Sequence, residues 1–82
     1  MTQNETFTVN QMKEGQVGKI IEISGGYGFT KRLHALGIRS GKMIIKVSSM
    51  FKRGPVTIQM GPVQVAIGFR MAGKILVSLE EK

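Results

Sequence analysis

Val56-Thr57-Ile58-Gln59-Met60-Gly61-Pro62-Val63-Gln64-Val65-Ala66-Ile67 is the stretch that decides the fold. Val56, Ile58 and Met60 alternate with Thr57 and Gln59, a period of two that puts the apolar side chains on one face of a strand. Gly61-Pro62 turns the chain, and Val63, Val65 and Ile67 then line the same face of a second strand. Two short alternating runs across a Gly-Pro break predict an antiparallel hairpin. The building block is therefore the short strand.

Working outward, the rest of the chain repeats this grammar, with 11 Gly spread as punctuation between apolar runs. Val17 to Ile23 is rich in β-branched residues and is bounded by Gly15 and Gly25-Gly26, which predicts a first strand. Lys42 to Met50 sets Met43, Ile45 and Val47 against Lys42, Lys46 and Ser48, a half-buried second strand with Met43 on its inward phase and Ile44 on its outward phase. Ile75, Val77 and Leu79 give a last strand, with Leu76 outward. One segment breaks the period. Phe29, Leu33 and Leu36 fall at i, i+4 and i+7, predicting a helix from Tyr27 to Leu36 that ends at Gly37. Thr8 to Met12 predicts a single turn that packs Val9 and Met12. The expected architecture is mostly β: a small, partly open, five-stranded SH3-like barrel with a short helix between its first two strands. Residues 7–80 form the single domain, and 1–6 are expected to be a flexible tail.

The chain has 82 residues, no Cys and one His, and it carries 12 Lys plus Arg against 5 Asp plus Glu, for a net charge of +7. A domain of this size cannot be subdivided, and neither a disulfide framework nor a Cys/His zinc site can hold it together. No apolar run reaches the roughly 18 residues that would cross a bilayer. The polar start, Met1 to Thr6, does not look like a secretory signal. A cytoplasmic location is the expectation. Between Ile23 and Leu79 the charged residues are Lys31, Arg32, Arg39, Lys42, Lys46, Lys52, Arg53, Arg70 and Lys74, with no acid among them. Such a span favours polyanions, anionic headgroups or an acidic protein surface.

Several blocks are similar to a known family. Gly15-Gln16-Val17-Gly18-Lys19-Ile20-Ile21-Glu22-Ile23-Ser24-Gly25-Gly26 resembles the G-x-x-G-x-I-x-x-I-x-G-G opening of FeoA, the small accessory protein of bacterial ferrous iron uptake. Arg32-Leu33-His34-Ala35-Leu36-Gly37-Ile38-Arg39-Ser40-Gly41 fits that family's R-L-x-x-L-G-[IM]-x-x-G. The likeness runs on through Gly54-Pro55-Val56-Thr57-Ile58 and Ala72-Gly73-Lys74-Ile75-Leu76-Val77, and so spans about Phe7 to Leu79. Gly68 and Met71 stand where many members carry an Arg and a Glu, and Arg53 replaces a frequent glycine. The same domain closes the DtxR-type metal-dependent repressors. At this length no winged-helix or metal-sensing segment is expected beside it. The resemblance implies an SH3-like fold, and as partner it implies FeoB, the membrane iron transporter with a cytoplasmic GTPase region.

The chemistry of the residues leads the same way. General acid–base and nucleophilic catalysis need positioned carboxylates, His or an activated Ser or Cys, and the interior of the chain offers only His34. His34 lies off the helix stripe and is expected to face solvent, so no catalytic residue and no cofactor is assigned. Ferrous iron favours His and carboxylate ligands. The acids lie toward the ends, leaving only a composite of His34 with Glu22 or Glu80, and Met43 and Met60 read as core filling. No metal residue is assigned. Nucleic-acid binding is the competing reading, because basic small barrels of the KOW type bind RNA or DNA. With 4 Phe, one Tyr and no Trp, only Tyr27 and Phe51 are available to stack bases. A protein partner suits the charge best, with the anionic inner leaflet beside a transporter as a second surface it would fit. The expected contact residues are Tyr27, Lys31, Arg32, Phe51, Lys52 and Arg53. An open barrel edge would also allow two copies to pair.

Overall fold

The computed structural model describes residues 4–48 and 54–80. Six strands form one antiparallel sheet: β1 (Asn4–Thr8), β2 (Val17–Ile23), β3 (Met43–Ser48), β4 (Val56–Met60), β5 (Val63–Ile67) and β6 (Ile75–Glu80). Their order is β1-β6-β2-β3-β4-β5. A 3-10 turn, Val9–Gln11, follows β1; helix α1 (Tyr27–Ala35) joins β2 to β3; and a four-residue helix α2 (Phe69–Ala72) joins β5 to β6. The β4–β5 hairpin pairs Val56 with Ile67 and Met60 with Val63, as the alternation predicts.

Two expectations are corrected. Among the described residues there are six strands, not five, and the two ends of the sheet, β1 and β5, do not pair with each other to close a barrel. Residues 4–6, expected in a flexible tail, belong to β1 and lie in register with β6, Asn4 opposite Glu80 and Phe7 opposite Val77. Asn4-Glu5-Thr6-Phe7-Thr8 carries a single apolar residue and hence no visible alternation. Its order comes from the edge of β6, which supplies main-chain partners regardless of side-chain type.

The core gathers Val9, Met12, Ile20, Leu33, Ile38, Ile44, Val56, Ile58, Ile67, Ala72, Ile75, Val77 and Leu79. Gly18 lets β2 cross closely over this core: a Cβ there would lie 2.9 Å from Leu79 Cδ2 and 3.2 Å from Val77 Cβ. The 3-10 turn buries Val9 and Met12 as expected, and the Thr8 amide donates to Gln11 Oε1 at 2.8 Å to fix its start.

Strand β3 runs in the opposite phase to the expected one. Ile44 is fully buried, and Lys46 on the same face is only 4% exposed, whereas Met43 is 54% exposed and Ile45 is also open. Met43 is therefore not core filling, and Ile44 forms no outer patch. Lys42, Lys46 and Ser48 point to a polar outer phase, but Met43-Ile44-Ile45 is apolar in both phases, and the observed register buries Ile44 and Lys46. A lysine stem packs like an aliphatic chain, and its ammonium can be satisfied by carbonyls at the core's edge.

Candidate functional site

Helix α1 carries the described half of the expected contact surface. Gly26 is its N-cap and supplies no side-chain bond, but Thr30 donates through its amide and its hydroxyl to the Gly26 carbonyl, at 3.0 and 3.1 Å. The helix closes on a left-handed Gly37, φ 88°. The Ile38 amide donates back to Leu33 O and the Gly37 amide to His34 O, both at 2.9 Å. Leu33 and Ile38, the two side chains that this motif brings together, are both fully buried. The expected helix thus ends one residue early. Leu36 is the C-cap and lies 47% exposed, so it leaves the stripe that Phe29 and Leu33 continue.

With Leu33 buried and Phe29 packed on the core, the rest of α1 faces outward. Tyr27 is 81% exposed, and the Lys31 ammonium stands 5.9 Å from its ring centroid, one turn on. Arg32 is exposed beside Lys31. On the other side of the helix the Lys74 ammonium lies 5.2 Å from the Phe29 ring. The Ser24 amide donates to Lys74 O at 2.8 Å, tying the two loops that flank this face. The structure therefore brings Lys31 to Tyr27, leaves Arg32 exposed next along the helix, and places Lys74, which the sequence did not single out, over Phe29. A cation over an exposed ring is attracted to it by about 0.5–1 kcal/mol and leaves both groups accessible. Phe51, Lys52 and Arg53 lie outside the described residues.

The acid-free span is not uniformly a surface. Arg39, Lys42, Arg70 and Lys74 are exposed, but Lys46 is withdrawn into the fold. Its Nζ donates to Met12 O at 2.6 Å and to Asn10 O at 3.2 Å, and burial pushes its pKa below 10.5 against a smaller opposing pull from Glu14. Asn10 in turn donates through Nδ2 to Phe69 O at 2.9 Å. This node joins the 3-10 turn, β3 and α2. The signal that could have found it is a lone lysine within a strand that carries an isoleucine in each phase, Ile44 and Ile45.

His34 is exposed, and among the described residues no three His, Cys, Asp or Glu side chains gather closely enough to hold a metal ion. No helix among them is long and apolar enough to cross a membrane. Leu36, Gly37, Lys42, Met60 and Val63 line an open groove of about 160 Å³ between the end of α1 and the β4–β5 turn.

The family model of the FeoA domain matches residues 7–79. Among solved structures, an iron uptake regulatory protein (FeoA) superposes with a TM-score of 0.81 at 32% identity, covering 92% of this chain and 99% of that one. An FeoA-like protein from Clostridium acetobutylicum gives 0.81 at 17% identity over 95% and 91% of the two chains. A manganese-dependent transcriptional repressor gives 0.84 at 15% identity; it covers 94% of this chain, which spans only 43% of the repressor, and the likeness is one of fold. Comparison with curated proteins returns no match.

Proposed function

The chain belongs to the FeoA family, and from that premise we propose that it is an accessory protein of bacterial ferrous iron uptake that binds the cytoplasmic GTPase region of the membrane transporter FeoB. It acts by contact, without chemistry of its own, and iron is the cargo of the system it serves. The observation that carries this reading is Tyr27, a large aromatic left 81% exposed with Lys31 held over its ring. Tyrosine and arginine anchors dominate the energetics of protein interfaces. The acid-free span adds electrostatic steering toward an acidic partner surface. The SH3-like description and the cytoplasmic, membrane-adjacent location belong to the same proposal.

Crosslinking to the isolated cytoplasmic region of FeoB tests it. Charge reversal at Lys31 and Arg32 should abolish the crosslink, and reversal at Lys52 and Arg53 tests the second half of the expected surface. An undiminished crosslink in both double variants would remove this surface from the interface. Tyr27 and its basic neighbours also suit an unstacked base, so RNA is the second reading. Retention of RNA on a filter that falls steeply with salt and depends on Tyr27 would favour it.

A further inference from the structure

Strand β5 ends the sheet order, so one of its edges has no strand partner among the described residues. Among the same residues no turn or loop main-chain group bonds to Val63–Ile67. Exposed edges are usually blunted by Lys, Pro, a bulge or an irregular register. Val63-Gln64-Val65-Ala66-Ile67 has none of these: it is uncharged, and it pairs with β4 through five consecutive positions without a shift. The interior pairings β2–β6 and β3–β4 both carry a bulge. The edge of β5 is thus regular and uncharged, whereas β1, at the other end of the sheet, carries Glu5.

Beside this edge lies the groove of Leu36, Gly37, Lys42, Met60 and Val63. Val63 shares its face of β5 with Val65 and Ile67 and is 51% exposed, and Leu36 across the groove is 47% exposed. A strand laid along β5 would direct alternate side chains to that same face, next to Val63. Among the described residues, the one charged side chain lining the groove is Lys42. Lys42 is exposed, and the span from Ile23 to Leu79 in which it lies holds no acid. A second copy of the chain would bring a like-signed +7 molecule to the same place.

We propose that the free edge of β5 receives an extended acidic segment of a partner protein, which adds a strand there, places an apolar side chain in the Leu36–Met60–Val63 groove and sets a carboxylate on Lys42. Main-chain bonds to β5 supply affinity, and the groove with its lysine supplies selection. The inference rests on the reading of the chain as a protein-binding module but not on which protein it binds, and its test contains no transporter.

The probe is an end-blocked octapeptide, Thr-Val-Thr-Glu-Thr-Val-Thr-Glu, whose Val and Glu side chains fall on one face of a strand, titrated into the ¹⁵N-labelled chain. The expected result is shifted resonances and slowed amide exchange at Val63–Ile67, with shifts at Leu36 and Lys42. Lys42→Glu, an exposed substitution, should weaken binding about tenfold. Methylating alternate peptide amides should abolish binding in one of the two registers, since only one row of amides faces β5. The proposal is overturned by an absence of shifts at millimolar peptide, or by equal binding of the Val–Lys counterpart. Indifference to amide methylation in both registers would also overturn it, as would slowed exchange at β5 in a peptide-free dimer, which would give the edge to a second copy.

Discussion

The Lys46 ammonium donates to the main-chain oxygen of Met12 at 2.6 Å, so a cation closes one end of a core otherwise built from aliphatic side chains. With its second bond to Asn10 O at 3.2 Å, it pins the 3-10 turn against β3. The turn matters beyond its length, because Val9 and Met12 are core residues and Asn10 reaches on to α2.

Lys46→Met keeps the aliphatic stem but leaves two carbonyls without their donor, and should lower stability by about 1–3 kcal/mol at neutral pH. Urea unfolding followed by circular dichroism measures it. The pH dependence has a definite sign. Burial holds the folded-state pKa of Lys46 below the 10.5 of the unfolded chain. Between the two values the unfolded state binds more protons, so stability from this group rises with pH through the window just below 10.5. The stability gap between the parent and Lys46→Met should therefore widen as pH rises toward 10.5, and a narrowing gap would contradict the burial of the charge.

The phase of β3 gives a second prediction. Ile44→Ala removes a fully buried side chain and should cost about 2–5 kcal/mol, whereas Met43→Ala removes an exposed one and should change stability by less than about 0.5 kcal/mol. Comparable losses at both positions would mean that the strand is seated in the other register.

Two glycines should respond in opposite directions. Gly18→Ala places a methyl against Leu79 and Val77 and should destabilise by about 1–3 kcal/mol. Gly28 lies within α1, where an added methyl would meet nothing within 4 Å and the backbone angle is ordinary. Gly28→Ala should stabilise by about 0.5–1 kcal/mol. Thermal melts of the two variants decide both.

Where alternation is clean, as in Val56 to Ile67 and Ile75 to Leu79, the amino-acid order alone specifies strand, turn and inward face. The Leu33–Gly37–Ile38 helix end is equally legible, because a left-handed glycine at that offset has few other uses. Strand β1 is not, since its order resides in the edge of β6 rather than in its own composition. Nor is Lys46, whose charge suggests an outward side chain although the carbonyls of Asn10 and Met12 meet it inside. On the surface, the place of Tyr27, Lys31 and Arg32 on the exposed part of α1 follows from helical spacing. The places of Lys74 and the groove at Leu36 do not, because they depend on how distant segments come together in three dimensions.

The central claim is that α1 presents a protein-binding surface anchored by Tyr27. Titration calorimetry of the chain with the cytoplasmic region of FeoB tests it most directly. The expected result is a saturable complex, weakened about tenfold or more by Tyr27→Ala with the melting behaviour of the variant unchanged. The absence of a complex, or one of equal affinity for Tyr27→Ala and Lys31→Glu, would contradict it.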